Sequence, residues 1–186
     1  EGITAEKLVL ESEPGIRLPA LLLKPKQSPD GGPVVVHLSD EGKPVGSAQA
    51  SLALDLVRAG QVVFSLDVRG AGETDPRDRP KLSPLTRYDP QQFRFDSYAV
   101  GAAQLGTTLL AMQTFDVVRG LDWIASRGEL AGRPVFLVGE GLGGVWAEML
   151  DSVSVHVGPI DVPGALRLLE SSEVGRMMLE ARGGAL

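Results

Sequence analysis

The densest chemical signal in the chain is a glycine knot, Gly139-Glu140-Gly141-Leu142-Gly143-Gly144. An apolar run, Val135 to Val138, precedes it and reads as a buried strand. Val145 to Leu150 reads as the start of a helix. Two chemistries fit this strand, turn and helix. In the first, Gly139-x-Gly141-x-Gly143 is a nucleophile elbow, G-x-S-x-G, with glycine in the serine's seat. The elbow needs small residues two before and two after the nucleophile, because its strained turn brings backbone close there. In the second, Gly139-x-Gly141-x-x-Gly144 is the dinucleotide fingerprint G-x-G-x-x-G, which also follows a strand and opens a helix. Asp161 then lies near the distance expected for a ribose-binding acid.

Few other residues could do chemistry. The chain has two histidines, His37 and His156, and no cysteine. Disulfides, zinc–thiolate sites and a cysteine nucleophile are thereby excluded. No cofactor or metal is expected. Asp67 and Arg69 fall at the end of an apolar run, where open α/β sheets place ligands. For this pair an ion pair or loop-bracing role is the expectation. A net charge of −6 and the lack of a basic run argue against a nucleic-acid partner. No stretch approaches the ~20 apolar residues of a transmembrane helix, and no signal peptide is visible at the start, so the compartment stays open.

The elements that must position the knot follow from periodicity. Lys7–Ser12 and Ile16–Lys24 alternate as strands around a Glu13-Pro14-Gly15 turn, which predicts a hairpin. Val34–Ser39 reads as a short buried strand. A helix over 48–60 follows, with Ser47 as a candidate cap and Gly60 as its stop. The run over 61–70 is another buried strand. Residues 73–97 are polar, hold four prolines and read as a long surface loop. From about Tyr98 to Arg127 apolar residues recur at helical spacing. After the knot, one more strand and one or two helices are expected. Strands alternating with helices predict a mostly parallel central sheet with helices on both faces and an antiparallel hairpin at its leading edge, within one domain of 186 residues.

Several segments together resemble the α/β-hydrolase superfamily. "LVLESEPGIRLPALLLKPK" is similar to its opening hairpin, and "GPVVVHLSDEGK" to the strand and loop that supply half of the oxyanion hole. "GQVVFSLDVRGAGETDP" resembles a strand ending in D-x-R-G-x-G-x-[ST]. "FDVVRGLDWIASRGELAGRPVFLVGEGLGG" resembles the helix leading to the elbow strand. The closest likeness is to the acetylxylan-esterase-like branch, whose elbow often reads G-x-S-x-G-G; Gly144 supplies the last glycine. The likeness runs from about residue 7 to residue 151. It favours the elbow over the dinucleotide fingerprint, which normally sits at a fold's first strand.

The resemblance implies carboxylic-ester hydrolysis, of a small ester or an acetylated carbohydrate. It gives Gly141 the nucleophile's position, with the serine absent. The Leu142 N–H would be one oxyanion donor, and the N–H of Ser39 or its neighbour Asp40 the other, on the strand that carries His37. Glu140 could at most position a water. A serine hydrolase also needs a histidine and an acid. In this fold the histidine comes late, whereas His37 and His156 read as structural and Asp161 as a loop or cap residue. After the elbow helix about 35 residues remain, where the full fold would need on the order of 80. The chain is therefore expected to be catalytically impaired and short at its C-terminal side. An open sheet edge would favour a second copy or a partner chain.

Overall fold

The computed structural model describes residues 2–26, 32–44, 49–75 and 98–152. Strands β1 (Ile3–Glu13) and β2 (Ile16–Pro25) form the expected hairpin around Pro14-Gly15. Strand β3 (Val34–Ser39), helix α1 (Gln49–Arg58) and strand β4 (Val62–Leu66) follow. A 3-10 turn covers Gly72–Thr74. Residues 98–104 are helical. Helix α2 (Leu109–Ser126), strand β5 (Val135–Glu140) and helix α3 (Leu142–Ser152) complete the described residues.

The sheet order is β1-β2-β4-β3-β5. β2 is antiparallel to both its neighbours, and the β4-β3-β5 ladders are parallel, so β2 alone runs against the rest. The period of two along each strand sorts side chains onto two faces. Leu18, Ala20, Leu22, Val34, Val36, Leu38, Phe64 and Leu66 meet Val117, Leu121 and Ile124 of α2 and Trp146 and Leu150 of α3. The alternate residues Leu21, Leu23, Val35 and Val63 meet Leu52, Ala53, Leu56 and Val57 of α1. Helices thus cover both faces of an α/β-hydrolase-like sheet. Each fully buried aliphatic or aromatic side chain contributes roughly 1.5–3 kcal/mol to that packing.

Three elements differ from the sequence pattern. The helix expected from Tyr98 to Arg127 is broken. Gly106 takes φ +74 after the first segment, and the Thr108 hydroxyl accepts from Ala111 N–H to cap α2. The apolar period continues through the break, which is why it hid there. The strand expected to reach residue 70 stops at Leu66; Asp67 N–H still donates to Pro19 C=O, and the chain then turns, with Ala71 N–H on Val68 C=O. Helix α3 begins at Leu142, three residues before the apolar pattern suggested. Ser47, the loop beyond Asp75, His156, Asp161 and everything after Ser152 lie outside the described residues.

A buried charge joins the layers. Asp116 of α2 is fully buried and accepts from Ser12 Oγ at 2.6 Å, Arg69 N–H at 2.9 Å, Arg69 Nε at 2.8 Å and Arg69 Nη2 at 2.5 Å. Ser12 sits where the β1–β2 register shifts, between Glu11 and Glu13, and such irregularities re-aim a side chain. Hydrogen bonding to Asp116 holds the Arg69 guanidinium above its ordinary pKa. Removing one partner of such a pair leaves an uncompensated buried charge. Asp116→Ala is expected to cost about 3–5 kcal/mol, read as a lowered urea midpoint with the slope unchanged.

Candidate functional site

Strands β3, β4 and β5 are parallel, so their C-terminal ends lie side by side and three loops converge there. The first loop, after Ser39, carries Asp40, Glu41, Gly42 and Lys43. The second, after Leu66, carries Asp67 to Asp75. The third is the glycine knot.

The knot forms a tight strand-to-helix turn. Gly141 takes φ +58, the left-handed region that side chains with a Cβ resist. A Cβ on Gly139 would collide with the Gly143–Gly144 backbone, and one on Gly143 with the Leu38 carbonyl. Strand β5, helix α3 and strand β3 therefore approach to a separation only glycine permits. A Cβ on Gly144 would meet nothing closer than Gly139 O at 3.8 Å. The close helix–strand contact belongs to Gly143, the fifth residue of an elbow, and not to Gly144, the last glycine of a dinucleotide fingerprint. Helix α3 starts at Leu142, so its first N–H groups have no partner inside the helix, and Gly144 N–H donates to Gly141 C=O at 3.2 Å instead.

Asp40 stands against Gly141. A Cβ built on Gly141 would fall within 2.8 Å of Asp40 Cγ and Oδ2, with Oδ1 nearer still. Asp40 is part-buried, and among the described residues its carboxylate has no hydrogen-bond partner. A small cavity opens beside it, lined by Asp40, Gly70, Tyr98, Gln113, Leu142 and Trp146, among others.

The remaining polar groups are committed elsewhere. Gln113 Nε2 donates to Arg69 C=O at 3.0 Å, and its Oε1 accepts from Trp146 Nε1 at 3.2 Å. Buried Asp67 accepts from Lys43 N–H and from Lys43 Nζ, both at 2.5 Å, and from Glu73 N–H at 2.9 Å. It clamps the first loop to the second. Lys43 also pairs with Glu73 at 2.6 Å, and that hydrogen bond holds the Glu73 carboxyl below its usual range. Both Asp67 and Arg69 brace loops, as expected.

His37 is fully buried on β3. Its Nε2 lies 2.6 Å from Glu140 Oε2 and its Nδ1 3.2 Å from Ser65 Oγ. The carboxylate only accepts, so Nε2 is the donor of that pair. Ser39 is buried, and its Oγ accepts from Glu41 N–H at 3.2 Å. The structure thus brings Ser39, Asp40, Gly139, Gly141, Leu142, Gly143 and Gly144 to one place. It sets His37 and Glu140 against each other below it. Gln113, Asp116, Tyr98 and Trp146 went unnoticed as site residues. The first two carried a signal: polar side chains on the face of α2 that also bears Val117 and Leu121.

Among the described residues no group of three or more His, Asp or Glu could hold a metal ion, and no helix is long and apolar enough to cross a membrane.

No family model and no curated protein matches the chain. Solved structures do. A candidate acetyl xylan esterase from Bacteroides fragilis superposes with TM-score 0.65 at 18% identity, over 82% of this chain and 42% of that one. A dienelactone hydrolase from Anabaena variabilis gives 0.53 at 18% identity, over 79% and 56%. A cold-adapted esterase from an Arctic intertidal metagenomic library gives 0.53 at 20%, over 91% and 68%. The chain shares its fold with these α/β-hydrolases and spans about half the length of the first two.

Two outcomes are expected. Gly141→Ser forces a side chain into the left-handed region, at about 1–2 kcal/mol, and also displaces the Asp40 carboxylate. In an Asp40→Ala background the same substitution should cost less. Urea unfolding of the four proteins of this cycle measures the coupling, expected at roughly 0.5–3 kcal/mol. A folded-state pKa of Glu73 below its ordinary 4.5 means its pairing stabilises above that pH and fades as pH falls through the lowered value. Glu73→Gln should flatten the loss of stability in that acid window.

Proposed function

We propose that this chain is an esterase-type α/β-hydrolase scaffold, acetylxylan-esterase-like, whose three-loop site binds a small ester or acetylated carbohydrate over the small cavity beside Asp40 but has lost serine-type acyl transfer. The observation that carries the reading is Gly141 at φ +58, on a turn where Gly139 and Gly143 permit backbone contact with β3 and α3. That is the geometry a nucleophile elbow requires. Glycine in the nucleophile's seat has no group with which to attack. The fold shared with esterases supports the substrate class.

What survives the loss is backbone. The Leu142 N–H and that of Ser39 or Asp40 would polarise a bound carbonyl whatever side chains stand nearby, helped by the N-terminal end of α3. Glu140 is drawn to His37, which argues against it as a water-positioning group. The dinucleotide reading has less support, because Gly143 rather than Gly144 makes the close contact.

Thermal shift with p-nitroacetanilide, an uncleaved mimic of a nitrophenyl ester, tests the reading. A raised melting temperature is expected with the anilide and none with millimolar NAD. p-Nitrophenyl acetate should give no stoichiometric burst of nitrophenol, with or without Gly141→Ser. A burst from the unaltered chain would mean another nucleophile. A shift with NAD alone would move the function to nucleotide binding.

A further inference from the structure

We propose that Asp40 is the general base of this site, holding a water beside Gly141 and directing it at a bound acyl carbonyl, so that hydrolysis proceeds in one step without an acyl-enzyme. The proposal rests on the ester-binding reading above.

Position is the first argument. The Asp40 carboxylate is the group a side chain at Gly141 would strike, so it fills the space from which an elbow nucleophile would project. Availability is the second. Gln113 uses both ends of its amide, Trp146 Nε1 is bonded to Gln113, Asp67 to Lys43, and Glu140 to His37. Among the described residues lining the cavity, Asp40 alone brings a carboxylate, and it has no partner there. Room is the third. The cavity beside Asp40 and Leu142 accommodates about one water molecule.

The charges also balance. A carboxylate this close would repel a developing oxyanion if it stayed charged. As a base it takes the water's proton while that charge forms, and becomes neutral at the moment repulsion would matter. The water oxygen bonds to the carbonyl carbon, and the oxyanion lies at the Leu142 N–H. The intermediate then collapses: the carbon–oxygen bond to the alcohol breaks, and the proton on Asp40 passes to the leaving alkoxide. Water and ester give acid and alcohol, and Asp40 is restored. Positioned proton transfer contributes roughly 10²–10⁴-fold, so slow turnover is expected.

The test is steady-state p-nitrophenol release from p-nitrophenyl acetate by the whole chain, by Asp40→Asn and by Asp40→Ala, with melting temperatures and p-nitroacetanilide binding measured on all three. Expected are linear progress curves without a burst, rates above buffer, and loss of at least tenfold of the protein-dependent rate in both variants. Slowing in D2O should be seen in the unaltered chain and vanish in Asp40→Asn. Folded, anilide-binding protein that hydrolyses at the buffer rate overturns the base and leaves the ester-binding reading standing. Full activity in either variant, or a burst, also overturns it. Neither binding nor turnover in the unaltered chain removes both.

Discussion

A fully buried carboxylate, Asp116, sets much of this architecture. Leaving such a charge unpaired inside a protein costs several kcal/mol, so its donors must arrive together or the helix cannot pack. They come from two other places in the chain: Ser12 on the hairpin, and the backbone and guanidinium of Arg69 beyond β4. One requirement thus docks the hairpin onto α2 and fixes the conformation of the loop after β4. One turn earlier on the same helix, Gln113 extends the constraint. It takes up the Arg69 carbonyl and the Trp146 indole, tying that loop to helix α3. Such pairs need not add net stability over an apolar core. Their geometry, however, admits one arrangement where aliphatic packing would tolerate several.

The second constraint is steric. Gly139 and Gly143 let helix α3 lie against the ends of β5 and β3 at a distance no side chain allows. The start of helix α3 therefore lies against the end of β3 and beside Asp40.

How much of this was legible in the sequence depends on the range of the interaction. The hairpin, β3, β5 and the glycine turn into α3 rest on local pattern, and they fell within a few residues of expectation. The D-x-R-G-x-G segment marked its two bracing residues by type, since an acid and an arginine at a strand end rarely lie idle. Their partners were invisible, because Arg69 and Asp116 are 47 residues apart, and Ser12 and Asp116 are 104 apart. Likewise nothing near Asp40 in sequence reveals that it faces Gly141; only the β3–β5 ladder puts Ser39 opposite Glu140 and so brings the two turns together. The helix break at Gly106 was missed for the opposite reason. Its local signal was present, but the apolar period on either side outweighed it.

These constraints bear on why a glycine can occupy position 141 at all. The left-handed turn costs any residue with a Cβ about 1–2 kcal/mol, which a protein sustains only where the side chain returns something. Glycine removes that cost and keeps the turn, because the turn is held by Gly139, Gly143 and their contacts with backbone. The turn is thus held by residues other than the one at its apex. The space beside Gly141 is not neutral, since the Asp40 carboxylate borders it. A serine placed at position 141 would meet that carboxylate. Under the proposed reading, a serine-type site would therefore require changes on two loops, one after β3 and one after β5.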